Sequence, residues 1–167
     1  MTVDDGSIWG GTIELKGNLT YNCVDGNDGD SCAGDHENHF NGRNGGGTTN
    51  LIINGNTAQT YDFDEYASAP EVEVDTTGSF TPIGSHFGAD TFTLTSGTFT
   101  APSGNMRIGY RVSTSADDPS KGLAKYGGTF NHNNGTVIFD HIAHFSGLKN
   151  VATITATGIN LYNLTLN

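Results

Sequence analysis

Short runs of alternating apolar and polar residues, each closed by glycine or asparagine, recur along most of the chain. Thr12-Ile13-Glu14-Leu15-Lys16, Leu51-Ile52-Ile53, Glu71-Val72-Glu73-Val74-Asp75, Thr91-Phe92-Thr93-Leu94-Thr95 and Thr136-Val137-Ile138-Phe139 are clear cases. Alternation with a period of two sends successive side chains to opposite faces of a strand, so each run has one face for a core and one for water. Its β-branched and aromatic residues suit a pleated, half-buried surface. Asn54-Gly55 and Asn134-Gly135 offer the positive φ that tight turns need. The one helix expected is a turn or two over residues 120–126, after Pro119.

Composition narrows the class further. The 167 residues include 24 Gly, and only 15% of residues are charged. Lys and Arg number 7 against 18 Asp and Glu, for a net charge of −11. Nucleic-acid binding needs a surplus of cations to replace phosphate counterions, so this balance excludes it as an expectation. The same deficit argues against an anionic membrane surface, and no apolar run is long enough for insertion into a bilayer. Charge is also unevenly placed, with most acids in residues 1–90 and most bases in residues 91–167. An acidic front and a mildly basic rear would attract one another between copies stacked head to tail.

The strand phrases resemble each other. Gly10-Gly11-Thr12-Ile13, Ser96-Gly97-Thr98-Phe99 and Gly127-Gly128-Thr129-Phe130 share a Gly-Thr-apolar start. The run from Asn50 through Leu51-Ile52-Ile53-Asn54-Gly55 parallels Asn134-Gly135-Thr136-Val137-Ile138-Phe139. Their spacing drifts, which is degenerate repetition rather than a strict period. Such repetition predicts an all-β fold of the β-solenoid (β-helix) type, whose coils bury their faces by stacking on neighbours. A two-sheet sandwich or jelly roll is the second reading. Residues 1–167 read as a single all-β domain or repeat segment, broken by a polar Asp/Gly-rich insert at 22–47.

The phrase Gly127-Gly128-Thr129-Phe130-Asn131-His132-Asn133-Asn134-Gly135-Thr136-Val137-Ile138-Phe139 carries a family resemblance, and so does the ending Leu161-Tyr162-Asn163-Leu164-Thr165-Leu166-Asn167. Both resemble the Gly/Thr/Asn-rich repeats of secreted bacterial surface proteins, filamentous adhesins and phage fibre proteins. Thr93-Leu94-Thr95-Ser96-Gly97-Thr98-Phe99-Thr100-Ala101 is similar to the phrase that usually precedes them. The likeness covers residues 8–21, 48–61 and 91–167. It implies a non-catalytic structural part, at the cell surface, outside the cell or on a virion.

The insert holds the reactive side chains. Cys23 and Cys32 are the only cysteines, and two thiols closing one small polar loop suit a disulfide in an exported protein. On the chain-entropy model that closure is worth about 2–3 kcal/mol. Asp25, Asn27, Asp28 and Asp30, followed by Asp35 and Glu37, form an oxygen-rich, Gly-spaced loop of the kind that can converge on Ca²⁺. The run fails the EF-hand register, because Gly29 and His36 fall where ligands are required. His36-Glu37-Asn38-His39 is one residue short of a zinc-protease helix, and His141 and His144 lack a third ligand. No zinc centre is expected.

Motifs for a nucleophilic serine, a phosphate loop or a dinucleotide site are missing. Glu71 and Glu73 could in principle serve a polysaccharide-degrading β-helix, but paired carboxylates on one strand face are usually solvent-facing ladder residues. Assembly is the better expectation. The final strand phrase, with Leu161, Tyr162, Leu164 and Leu166, ends without a polar cap, so it predicts pairing with copies of the chain in a fibre or filament, by rung stacking or strand donation. The alternative class is a carbohydrate-binding module or adhesin head that holds surface glycans on Trp9, Tyr61, Tyr66, Tyr110 or Tyr126.

Overall fold

The computed structural model describes residues 2–4, 11–22, 49–62, 68–109, 121–139 and 152–166. All regular structure among them is β. In chain order the strands are β1 (Thr2–Asp4), β2 (Gly11–Leu15), β3 (Leu19–Asn22), β4 (Thr49–Ile53), β5 (Ala58–Asp62) and β6 (Ser68–Ile83). They continue as β7 (His86–Thr100), β8 (Asn105–Ile108), β9 (Lys121–Lys125), β10 (Thr129–Asn131), β11 (Thr136–Phe139), β12 (Ala152–Ala156) and β13 (Asn163–Leu166). Every pairing among them is parallel.

These pairings sort into three ladders. The first runs through β2, β4, the early part of β6, the middle of β7, β9 and β12. The second runs through β1, β3, β5, the end of β6, the end of β7 and β10. The third takes the start of β6, the start of β7, then β8, β11 and β13. Parallel neighbours cannot be joined by a hairpin, so each pair needs a crossover connection between its strands. The hairpin-linked antiparallel strands that a sandwich or jelly roll is built from do not occur among the described residues.

Alternation places the core as the sequence predicts. In the first ladder the inward column is Ile13, Leu51, Val72, Phe92, Leu123 and Ile154. In the third, Phe87, Met106, Val137 and Leu164 stack in register, as do Ala89, Ile108, Phe139 and Leu166. At the centre lies an aromatic cluster. The Phe99 ring sits 4.5 Å from Phe92, 5.4 Å from Phe130, 5.6 Å from Phe80 and 6.0 Å from Phe87, centroid to centroid. Such ring pairs add about 0.5–1.5 kcal/mol each beyond the area they bury.

Several expectations need correction. The stretch expected as a helical turn, from residue 121 to 125, is strand β9, because Leu123 fills the core column between Phe92 and Ile154. Burial in a ladder overrides the local propensity of a Lys/Ala/Leu run. Positive φ falls on Asn133 (47°) and Asn134 (60°), not on Gly135 or the Asn54-Gly55 pair. Gly135 serves close approach instead, since a Cβ there would lie 2.2 Å from the Pro102 carbonyl oxygen. Of the three Gly-Thr phrases, two share a register, with Thr98 opposite Thr129 and Phe99 opposite Phe130. The third, at Gly11-Thr12, belongs to the first ladder. The run from Asn50 and the run from Asn134 likewise lie in different ladders.

The turn between the first and second ladders is held by buried polar groups. Gln59 is buried; its Nε2 donates to the carbonyls of Leu15 (2.8 Å) and Gly17 (3.0 Å), and its Oε1 accepts from the Gly55 N–H (2.8 Å). One level on, the buried Thr76 hydroxyl donates to the Gly55 carbonyl and accepts from the Gly78 N–H. Successive turns are thereby tied to each other, and each side chain satisfies backbone groups that would otherwise be stranded in the interior.

Candidate functional site

Two surfaces stand out among the described residues. The first is the level formed by β12 and β13. Each of these strands pairs on one side, β12 with β9 and β13 with β11. Ile154 continues the column of Phe92 and Leu123 but is 43% exposed, whereas those two are buried. Leu164 and Leu166 continue the columns of Val137 and Phe139 and are 46% and 70% exposed. The apolar columns of the core therefore run out to an open edge. Of the assembly residues expected from sequence, Leu164, Leu166 and Tyr162 are exposed there, while Leu161 is partly buried against the core cluster.

The second surface is the outward side of the second ladder. Ala58, Ser79, Thr98 and Thr129 stand opposite one another in successive strands. Two residues on, Thr60 faces Thr81 and Thr100 faces Asn131. None of these eight is charged. The second ladder has acids at Asp4 in β1 and Asp62 in β5, away from these eight, whereas the first carries Glu14, Glu71, Glu73 and Asp75 outward. Aromatic residues border the second ladder at β10. Tyr126, 72% exposed, lies just before it, and His132 lies just after it. The Tyr162 ring, 58% exposed, stacks on His132 at 5.4 Å between centroids and 19° between planes. The His132 Nδ1 accepts the Asn134 N–H (2.9 Å), and Asn133 Nδ2 donates to the Ala101 carbonyl (3.2 Å). These bonds fix the turn that presents the stacked pair.

Glu71 and Glu73 sit half-buried on the outward side of β6, between the rows of Asn50/Ile52 and Thr91/Thr93. Glu73 accepts from the Thr95 hydroxyl (3.0 Å), and Asp75 from the Ser96 hydroxyl (2.8 Å). Carboxylates bridged along a ladder to threonine and serine stabilise strand pairing. Tyr61, one of the aromatics considered for glycan contact, is fully buried and meets Phe80 edge-on at 6.4 Å. Cys23, Cys32, Asp25, Asn27, Asp28, Asp30, Asp35 and Glu37 lie outside the described residues, as do Trp9, Tyr66, Tyr110, His141 and His144.

Sequence reasoning missed Gln59, Thr76 and the His132–Tyr162 stack. The two polar residues occupy positions where alternation points inward, and that misfit was their only signal. The ring pair joins residues from separate strand phrases, so no local pattern could announce it. Comparison of the chain with family models, with curated proteins and with solved structures gives no match.

Proposed function

We propose that the chain is a non-catalytic β-solenoid (β-helix) segment of an extracellular fibre or surface adhesin, and that its last level is covered by a further parallel strand from another copy. One observation carries the reading: Ile154, Leu164 and Leu166 extend buried core columns to an open strand edge. An uncovered apolar edge with free pairing capacity is a template for another strand. Covering it would bury about half of three large aliphatic side chains, on the order of 1 kcal/mol each, beside the new ladder hydrogen bonds. The uneven charge favours head-to-tail order, since heterologous contacts that do not close on themselves generate filaments. The three all-parallel ladders support the solenoid architecture, most directly where β6 and β7 each run through the third, first and second ladders in turn. Calcium bound by the acidic insert and a Cys23–Cys32 disulfide belong to the same proposal as stabilisers of an exported chain.

Electron microscopy with light scattering tests this directly. Regular filaments or concentration-dependent oligomers are expected, and the double substitution L164E/L166E is expected to abolish them while leaving the circular dichroism spectrum intact. Monodisperse monomer up to high concentration would refute assembly through this edge.

A further inference from the structure

The outward side of the second ladder, between Tyr126 and the His132–Tyr162 stack, shares only Tyr162 with the β12/β13 level proposed for assembly. We propose that it binds an uncharged polysaccharide chain, laid along the strand direction with sugar rings stacked on Tyr126 at one end and on Tyr162 at the other.

The argument begins with the rings. Tyr126 and Tyr162 are among the most exposed large side chains of the described residues, at 72% and 58%. An aromatic ring that stays in water gives up the burial that makes it useful in a core, so such rings commonly await a partner with an apolar face. Tyr162 is also pre-ordered. Its stacking on His132, itself held through the Asn134 N–H, fixes the ring before any ligand arrives, which lowers the entropy lost on binding.

The floor between the rings supplies the remaining chemistry. Thr129 and Asn131 are exposed, and Thr98, Thr100, Ser79 and Thr81 lie half-exposed beside them. These groups both donate and accept hydrogen bonds, matching the hydroxyls of a sugar. Their neutrality selects the ligand. In a chain of net charge −11, a strip with no cation offers nothing to an acidic polymer and no ion pair to a protein. Threonine, serine and asparagine also leave no apolar groove for a helix or loop to fill. From Tyr126 to His132 the chain advances six residues, at most about 20 Å when fully extended. That is room for a short run of linked pyranose rings, with the end sugars over aromatic rings and the middle ones over Thr129 and Asn131.

Affinity electrophoresis of the full chain through gels containing hydroxyethyl cellulose, beside pull-down on microcrystalline cellulose and on chitin, tests the proposal. Retention on at least one is expected, unchanged in high salt because no charge is involved. Y126A and Y162A should each weaken retention roughly tenfold, the equivalent of about 1.4 kcal/mol, with the thermal midpoint unaltered in Y126A and lowered in Y162A by no more than the loss of its stack on His132. H132A should weaken it through the loss of Tyr162 ordering. T98R, which puts a cation on the strip without touching the rings, should also reduce it. No retention on any of the three polymers, or retention that survives Y126A/Y162A, overturns the proposal. So does a change of oligomeric state in the double variant, which would make this face a contact between copies. The L164E/L166E variant separates the two readings, since it should bind the polymer as well as the parent whether or not it assembles.

Discussion

The stacking of turns between the first and second ladders makes a sharp prediction at Gly97. Its φ is +78°, and a Cβ built there would lie 2.5 Å from both the Thr76 carbonyl oxygen and the Thr76 Cγ2. Gly84 is the natural control, with a φ of +94° and nothing within 4 Å of the same construction. Both alanine substitutions carry the left-handed penalty of about 1–2 kcal/mol. Both regain about 0.4–1 kcal/mol from stiffening the unfolded chain. Gly84→Ala should therefore be destabilising by no more than about 1.5 kcal/mol. Gly97→Ala must in addition push two stacked turns apart. Ordinary contact begins at 3.4 Å, so the turn at Thr76 would have to retreat by nearly an ångström. That movement disturbs the Thr76 hydroxyl bonds and the seating of Phe99, and the loss of two hydrogen bonds alone is worth about 1–3 kcal/mol. The total expected is about 3–4 kcal/mol. Urea denaturation followed by circular dichroism reads both values, with equal m-values as the check that only stability has changed. If the two variants differ by less than about 1 kcal/mol, the turns are not in contact and the reasoning fails. Gly128→Ala should behave like Gly97→Ala, because its Cβ would meet the Gly97 carbonyl oxygen at 2.5 Å.

Other substitutions test the interior. Phe99→Ala should destabilise by about 3–5 kcal/mol, since the ring is fully buried among four others, and a denaturation midpoint near the parent's would contradict the central placement of this cluster. Gln59→Leu strands the buried Gly55 N–H and removes the two bonds to the Leu15 and Gly17 carbonyls, of which Leu15 keeps the Asn54 N–H. A loss of about 1–3 kcal/mol is therefore expected by the same assay, with no measurable loss as the refuting result. Thr76→Val keeps the shape but removes the hydroxyl, and should destabilise by about 1–2 kcal/mol; amide exchange at Gly78 should accelerate with it.

Much of this architecture could be read before any coordinates, and the reason is the period of two. Alternation in Glu71-Val72-Glu73-Val74 and Thr91-Phe92-Thr93-Leu94 states which side chains go inward whatever the strands pair with, and Val72, Val74, Phe92 and Leu94 are buried accordingly. The places of Leu164 and Leu166 opposite Val137 and Phe139 were legible for the same reason. The mispredicted turn at β9 was not. Lys121-Gly122-Leu123-Ala124-Lys125 has the composition of a helix end, and only the vacancy between Phe92 and Ile154 in a column assembled from distant segments makes it a strand. The uncharged strip of the second ladder was hidden similarly, because its columns join residues from four different strand phrases, although Tyr126 beside it was already a candidate for glycan contact.

The drifting repeat has a physical source in how length is distributed around the ladders. Equivalent positions of the first ladder are separated by 38 residues from Gly11 to Thr49, 21 from Asn50 to Glu71, 20 from Glu71 to Thr91 and 31 from Thr91 to Gly122. From Ile53 onward the passage from first to second ladder barely changes: Ile53 to Gln59, Val74 to Phe80 and Leu94 to Phe99 each take five or six residues. The level before it is shorter, since Leu15 to Leu19 spans four residues where the equivalent Ile53 to Tyr61 spans eight. Most of the remaining variation falls in the sequence between the second or third ladder and the next strand of the first, where segments 23–48, 110–120 and 140–151 lie in the chain. A stack of parallel strands tolerates this because closing a longer loop is only weakly penalised, about 0.6 kcal/mol for each doubling of length. After the step that Gln59 spans to Leu15 and Gly17, the turn keeps nearly one length, since Thr76 bridges to the level before it and the glycines at 97 and 128 leave no room for a side chain. A search for a fixed period therefore finds nothing, while aligning on the Gly-Thr-Phe turn alone recovers the register of Thr98 with Thr129. The acidic cysteine insert is then one of several elaborations on the variable stretches, and the nearly constant turn leads into the strip that we assign to polysaccharide.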